Sequence, residues 1–165
     1  MRNHPLMNKP TLIKKILARL REELEAYFNA ARTAHEEATH EQSKAEGKYD
    51  TRGLEASYLA HGQSRQAAEL EAAIATFEQM DGRLFGKNEP IGVGALVELE
   101  YDGECAFYFV ASRAGGLDIM HEKREVLVIT PQSPLGGQLQ GRREGDVLQI
   151  ALGGARNEYR VAAVL

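Results

Sequence analysis

Residues 129–165 read ITPQSPLGGQLQGRREGDVLQIALGGARNEYRVAAVL, and they carry the clearest signals of the fold. Ser133 is suited to cap a helix, Pro134 to occupy its first position, and Gly141 to end it. Two apolar segments, DVLQIAL and EYRVAAVL, follow on either side of the turn GGAR. The stretch therefore predicts a short helix lying across one face of a sheet, followed by two strands.

Segments just upstream supply the other strands of this sheet. The runs IGVGALVELEY, ECAFYFVAS and REVLVITP begin at residues 91, 104 and 124, and the turn sequences YDG and RAGG separate them. We expect a mostly antiparallel sheet of four or five strands with one short helix. This α+β domain would cover residues 91–165, after a linker at residues 85–90.

Farther upstream the pattern changes to a helical one. Apolar residues recur at alternating spacings of four and three, which is typical of a coiled coil. The first segment places on this seam Ile13, Leu17, Leu20, Leu24, Tyr27, Ala31, Ala34, Ala38 and Ala45. The second places there Ala60, Gln63, Ala67, Leu70, Ile74, Phe77 and Leu84. We expect an antiparallel coiled-coil hairpin over residues 11–84, capped by Thr11, with its tip near residues 47–53 and a flexible tail at residues 1–10.

Composition limits the possible functions. The net charge of −4 argues against a general nucleic-acid coat, which would be basic. No apolar run approaches the roughly 20 residues that span a bilayer, and the N-terminus has no apolar signal region. The single cysteine, Cys105, cannot form an internal disulfide, and its apolar neighbours predict a buried, inert thiol. We expect a cytoplasmic protein without membrane contact.

Several motifs resemble catalytic ones but lack the required context. HEEATH, at residues 35–40, separates its histidines by five positions, so they do not share the helix face that a zinc site needs. GVGALVE, at residues 92–98, leads into a strand and not into the helix of a dinucleotide site. The remaining candidates are acids near the hairpin tip: Glu41, Glu46, Asp50 and Glu55. They could help to hold Mg²⁺ only if a partner supplied the other ligands, and otherwise they keep the turn soluble.

The C-terminal stretch resembles the C-terminal domain of the bacterial transcript cleavage factors GreA and GreB. The resemblance is carried by residues 133–136 (Ser-Pro-Leu-Gly), Gly141, the pair Gly145-Asp146, and the two closing strands over residues 147–165. The long hairpin is similar to the coiled coil of that family. Ala56 and Tyr58 resemble its Ala-x-Tyr just after the tip.

The resemblance implies a fold and a partner. The C-terminal domain would be FKBP-like and would dock at the rim of the secondary channel of RNA polymerase, through Ser133, Pro134, Leu135, Gly136 and Asp146. The hairpin would pass down the channel, where tip carboxylates help to hold a Mg²⁺ ion that the polymerase active site supplies. Backtracked RNA is then cut. The protein would be an accessory factor and not itself an enzyme, with no cofactor bound by the isolated chain, indirect contact with nascent RNA, and a monomeric state.

The tip is where this sequence departs from the family, which has an Asp, two further residues and then Glu-Asn-Ala-x-Tyr. Alignment on Ala-x-Tyr without gaps puts Thr51 and Leu54 at the two acidic positions. The nearest acids, Asp50 and Glu55, are each displaced by one residue, and they are our candidates for the catalytic and metal-binding role. Candidate contacts to the polymerase or to nucleic acid at the tip are Tyr49, Arg52 and Tyr58.

Four functions remain open at this point. The first is a Gre-type factor that binds RNA polymerase and stimulates transcript cleavage. The second is a Gre-like protein that occupies the secondary channel without cleaving and so regulates the polymerase or competes with other factors. The third is a regulator resembling Rnk, against which the length of residues 11–84 counts. The fourth is a structural coiled-coil protein without polymerase contact, against which the C-terminal match counts.

Overall fold

The computed structural model describes residues 7–39 and 61–165. This part of the chain divides into two compact units. One unit joins the described residues up to Ile16 to the segment Thr76–Leu165, and the other contains the described residues of Leu17–Ala75. The predicted tip near residues 47–53 lies outside the described residues.

Helix α1, Lys9–Thr39, begins two residues before its predicted start. The Asn8 side-chain oxygen accepts a hydrogen bond from the backbone N–H of Thr11 at 3.0 Å. Asn8 is therefore the N-terminal cap, and the expectation that Thr11 would be the cap is wrong. Pro10 is tolerated because backbone N–H groups in the first turn of a helix have no intrahelical acceptor.

The segment just before this helix is packed and not part of a loose tail. Met7 and Lys9 are both buried. The backbone N–H of Asn8 donates to Oε1 of Glu122 at 3.1 Å, and the ring nitrogen Nε2 of His121 lies 3.0 Å from the Asn8 carbonyl oxygen. The structure thus differs from the expected flexible tail at residues 7–10.

Helix α2, His61–Glu78, is the second helical segment. In the unit Leu17–Ala75, Leu24 and Phe28 of α1 form a buried cluster with Ala67 of α2, and Leu70 and Ile74 pack against it. The predicted seam is confirmed at Leu24 and Ala67, but Phe28 is buried where Tyr27 was expected. Buried positions on α1 recur every four residues from Leu12 to Phe28, so the buried face departs from the expected alternation of four and three.

Other predicted seam positions also differ from the structure. Ile16 is buried in preference to Leu17, and Ala34 is exposed. Gln63 is also exposed. Leu84 lies beyond the end of α2 and is an exposed side chain, so its seam assignment is wrong. Ala45 and Ala60 fall outside the described residues.

The sheet has six strands, one or two more than expected. They are β1 Leu96–Tyr101, β2 Glu104–Val110, β3 Asp118–His121, β4 Arg124–Ile129, β5 Val147–Leu152 and β6 Ala155–Val164. Their order across the sheet is β3-β4-β2-β1-β6-β5. Every neighbouring pair is antiparallel except β2 and β4, which are parallel. A short third helix, α3, covers Pro134–Leu139.

Strand β3 is the one that sequence reasoning missed. It has four residues, and it joins β4 through a turn in which Glu122 and Lys123 both have positive φ, at 50° and 64°. Two-residue hairpin turns of this kind usually carry Asn or Gly, which adopt positive φ easily. The sequence therefore gives no turn signal between β3 and β4.

The two faces of the sheet have different neighbours. On one face, the Phe109 ring of β2 lies 6.0 Å from the Phe77 ring at the end of α2. On the other face, Leu135 and Leu139 of α3 join a buried cluster that includes Val110 and Ile129. The expectation that the short helix would lie across one face of the sheet is confirmed.

Candidate functional site

The candidate residues of the hairpin tip are not among the described residues. They are Tyr49, Asp50, Arg52, Glu55 and Tyr58, and their assignments remain predictions. The candidates of the C-terminal domain are all described. The structure therefore shows the surroundings of the candidate contact residues on and near helix α3, and not those of the hairpin tip.

Helix α3 begins as its sequence predicts. Ser133 is the N-terminal cap: its hydroxyl accepts from the Gly136 N–H at 3.0 Å and donates to the Thr130 carbonyl at 2.7 Å. Pro134 occupies the start of the helix. Gly141, just past the end, has a φ of +79°, which glycine adopts without strain. The three predictions made for this helix from its sequence are confirmed.

Gly136 fits where no larger residue could. A Cβ atom built on it would lie 1.8 Å from the Thr130 carbonyl oxygen and 2.9 Å from the Ser133 hydroxyl oxygen. The first turn of α3 therefore presses directly against the end of β4. The role of Gly136 is to allow the helix to approach β4 this closely. It has no side chain with which to contact a partner protein.

An open groove of about 480 Å³ lies beside the start of α3. Its walls are mostly apolar and come from the ends of β2 and β4, from the loop after β2, and from the helix itself. The lining includes Tyr108, Gly116, Leu127, Ser133, Pro134 and Leu135. The structure thus brings together three of the sequence-predicted contact residues on one surface.

Asp146 has a different position and does not line this groove. Its carboxylate oxygen Oδ2 accepts from the Arg143 backbone N–H at 2.9 Å, and its carbonyl accepts from the Val161 N–H at 2.8 Å. These bonds fix the turn that leads into β5. The structure gives Asp146 a role in holding the turn and separates it from the surface around Ser133.

The half-buried tyrosine and leucine of the groove were not identified from the sequence. Tyr108 and Leu127 pack at the border of the core and lie on neighbouring strands. Burial, with a contribution from Tyr159, raises the pKa of Tyr108. Period-two alternation in ECAFYFV places Tyr108 on the opposite face from Phe107 and Phe109, and this was the available signal.

A second open groove, of about 490 Å³, shares Tyr108 and Leu127 with the first. It is more polar, since Lys123 and Arg124 contribute to it, and the Arg124 guanidinium lies 5.0 Å from the centre of the Phe107 ring. Cys105 also lines this groove and is half-buried. The expectation of a fully buried thiol is therefore wrong, because β2 leaves the covered part of the sheet toward its Glu104 end.

The segment before the sheet, which contains the predicted linker, is ordered by a charged cluster. The Arg83 guanidinium donates to both carboxylate oxygens of Glu89, at 2.7 and 3.2 Å, and lies 4.4 Å from the centre of the Phe85 ring. The bond from Arg83, together with the Gly86 N–H, lowers the pKa of Glu89 to about 2. The hydrogen bond that Arg83 donates to the Glu89 carboxylate raises the pKa of Arg83.

Lys9 also lies close to the Phe85 ring. Its ammonium donates to the carbonyl oxygens of Arg83 and Leu165 at 2.5 and 2.8 Å, and it lies 4.8 Å from the centre of the Phe85 ring. Burial, and next the positive charge of Arg83, lower the pKa of Lys9 to about 8. Lys9 thus ties the start of α1 to the segment before the sheet and to the end of β6.

The described residues contain no group of three or more His, Cys, Asp and Glu side chains that could hold a metal ion, and the tip acids fall outside them. Across residues 7–39 and 61–165, no helix combines the length and the apolar character needed to cross a bilayer.

Known proteins identify the family. No protein-family model matches the chain. Gfh1 of Thermus thermophilus, described as a transcription inhibitor protein, is 36% identical over 124 residues, which cover 70% of this chain and 72% of that protein. The chain belongs to the GreA/GreB family. Gfh1 of Thermus aquaticus, another member with the same description, is 34% identical over 122 residues, covering 70% of this chain and 71% of that protein.

Two solved structures of Gfh1 proteins are also similar to this chain. The crystal structure of Thermus aquaticus Gfh1 covers 95% of this chain and 94% of its own, at 30% identity and a TM-score of 0.40. The structure of GreA factor homolog 1 from Thermus thermophilus covers 90% of this chain and 94% of its own, at 30% identity and a TM-score of 0.39. Membership of the Gre family, which residues 129–165 predicted by resemblance, is confirmed by the sequence relatives.

Proposed function

We propose that this Gre-family protein binds RNA polymerase at the secondary channel and inhibits transcription there without cleaving the transcript. The observation that carries the proposal is the 36% identity, over 72% of its length, to a relative described as a transcription inhibitor. The protein would act by occupying the channel and not as an enzyme. Its partner is the polymerase, and its contact with nascent RNA is indirect.

The sequence of the tip supports inhibition over cleavage. Thr51 and Leu54 stand where the family's cleavage factors carry Asp and Glu. A leucine side chain offers no oxygen to Mg²⁺, and a hydroxyl is a poorer ligand than a carboxylate. One residue along a helix is a rotation of about 100°, so Asp50 and Glu55 would not simply replace the missing acids. The Mg²⁺ ion of the polymerase would then lack a ligand from this protein.

The groove beside α3 supports docking to a protein partner. Apolar side chains surround the half-buried Tyr108, and tyrosine is enriched at the centre of protein interfaces. Ser133 and Pro134 stand at its edge on a helix start that Thr130 and Gly136 hold rigidly. A rigid surface loses little conformational entropy on binding. We assign this groove as the surface that docks on the polymerase.

Stimulation of transcript cleavage is the second candidate, and the acids of the tip are the observation in its favour. Asp50 and Glu55 lie one residue from the family's acidic positions. If the turn brings both carboxylates to the polymerase active site, they could share its Mg²⁺ and help to hold a water for hydrolysis. Under this candidate, Asp50→Ala and Glu55→Ala would abolish cleavage and leave binding unchanged.

Elongation by purified RNA polymerase tests the proposal. We expect the full chain to slow RNA extension and to displace a fluorescently labelled Gre factor from the polymerase. Asp50→Ala and Glu55→Ala should inhibit as well as the natural chain does, because inhibition needs occupancy and not the carboxylates. Unchanged elongation with no displacement, at saturating protein, would contradict polymerase binding.

A further inference from the structure

Strand β5 forms one edge of the sheet and is unusually open to pairing. Its sequence from Val147 to Leu152 is VLQIAL, with no charged residue and no proline. It pairs with β6 on one side and is the last strand in the order of the described sheet. Proteins usually protect such edges with charges, prolines or very short strands, because unpaired backbone groups invite another strand.

The opposite edge of the same sheet is protected. Strand β3 has only four residues. The Lys15 ammonium of α1 lies 3.5 Å from the Met120 carbonyl oxygen, and the Asn8 backbone N–H donates to the Glu122 side chain at 3.1 Å. The start of α1 therefore covers the β3 edge. The two edges differ, and only β5 offers a full strand length.

The hydrogen bonds to β6 determine which backbone groups of β5 face outward. At the start of the strand, the Val161 N–H donates to the Asp146 carbonyl and the Gly145 N–H donates to the Val161 carbonyl, both at 2.8 Å. In an antiparallel pair the residues that exchange both bonds alternate with residues that exchange none. Counting from Asp146 along the register with β6, the outward groups belong to Val147, Gln149 and Ala151.

We propose that β5 pairs with β5 of a second copy of this chain, antiparallel and about a two-fold axis through Gln149. In this register Gln149 of one protomer faces Gln149 of the other. Val147 faces Ala151, and Leu148 faces Ile150. The outward groups of three residues on each strand then meet one another, which gives about six backbone hydrogen bonds. The two sheets join into one of twelve strands.

Self-complementarity selects a second copy over a strand from another protein. Val147, Gln149 and Ala151 are exposed and uncharged. At a two-fold axis each residue meets its own kind or a fixed counterpart, so a charge near the axis would be repelled by its copy. Here the Gln149 amide, which donates to Glu158 on its own sheet at 3.2 Å, meets the same amide of the second copy, and the flanking apolar residues meet apolar residues. This inference differs from the monomer expected from the sequence, and it does not depend on the proposed function.

Sedimentation of the full chain over a range of concentrations tests the proposal. We expect the mass to rise from that of one 18.2 kDa chain toward twice that value. The double variant Val147→Lys, Ala151→Lys places two pairs of lysines opposite each other across the interface, because Val147 of each copy faces Ala151 of the other. Gln149→Pro removes an outward N–H that β6 does not use, and proline is tolerated there. Each variant should weaken association by about tenfold or more.

Met120→Lys is the control for an added lysine, because it places one positive charge on an exposed side chain of the protected edge. It should associate as the natural chain does. Circular dichroism establishes that every variant is folded. A natural chain that stays monomeric at all concentrations would overturn the proposal and leave the edge to a strand of another protein. A dimer that neither β5 variant weakens would also overturn it.

Discussion

At the scale of single residues, Gly136 shows how one missing side chain shapes the candidate docking surface. Its backbone lies so close to Thr130 that an added Cβ would meet the carbonyl oxygen at 1.8 Å. We predict that Gly136→Ala lowers the free energy of unfolding by about 3 kcal/mol, since overpacking a rigid backbone contact forces the helix away from β4. Urea denaturation measures this change.

Gly137→Ala is the control for this prediction, because it makes the same change at the next position of the same helix. There the added Cβ would lie 3.3 Å from the Pro131 carbonyl oxygen, which a small shift relieves. Its effect should stay within about 1 kcal/mol, partly offset by the better helix propensity of alanine. Equal losses in the two variants would show that the Thr130 contact is not the cause.

Lys9 makes the stability depend on pH in a defined direction. Its pKa is lowered to about 8 in the folded protein, from 10.5. Below pH 8 the ammonium is charged in both states and its burial lowers stability. Between pH 8 and 10.5 the folded state loses the proton first, so stability rises with pH. Relative to Lys9→Met, which cannot titrate, the natural chain should gain stability between pH 8 and 10.5.

Urea unfolding of both chains between pH 7 and pH 11 gives this comparison. The difference in the free energy of unfolding between the natural chain and Lys9→Met should shift in favour of the natural chain as the pH rises. Groups that titrate in both chains cancel in the difference. A difference that is constant over this range would contradict a lowered pKa for Lys9.

At the scale of elements, the groove formed by β2, β4 and α3 should decide affinity for the polymerase. Leu127 is half-buried at its wall and packs at the border of the core. We predict that Leu127→Gln weakens binding by about tenfold, because an amide without a partner is costly in an apolar interface. Binding is measured by displacement of a labelled Gre factor from the polymerase.

Met120→Gln is the matched control for this variant. Met120 is an exposed side chain on β3, away from the groove, so the substitution should leave affinity unchanged. The thermal stability of both variants shows whether Leu127→Gln merely unfolds the domain. Normal affinity of a folded Leu127→Gln variant would exclude the groove as the docking surface.

The elements also show what the sequence could and could not predict. Ser133 and Pro134 allowed α3 to be predicted, because helix capping depends on residues that are close together in the sequence. β3 was missed because it is short and its turn uses Glu122 and Lys123 in place of glycine or asparagine. The groove was missed because it depends on how Tyr108 and Leu127 come together from separate strands, which no local pattern encodes.

At the scale of the whole molecule, the sheet-containing unit is built from both ends of the described chain. It joins the start of α1 to Thr76–Leu165, although the sequence pattern placed a domain boundary near residue 90. The contacts of Lys9 with Arg83 and Leu165 explain this difference, since they tie three separate segments together. Contacts between residues that are far apart in the sequence produce no periodic pattern from which they could be predicted.

The proposed function requires that a Gre-family protein with this tip binds the polymerase and does not promote cleavage. Its most direct test follows 3′-end-labelled RNA in a stalled, backtracked elongation complex with Mg²⁺, with and without a cleavage-active Gre factor. We predict no short 3′ fragments with this protein alone, and fewer fragments when it is added to the cleavage factor. Short 3′ fragments produced by this protein alone would contradict the claim and assign chemistry to Asp50 and Glu55.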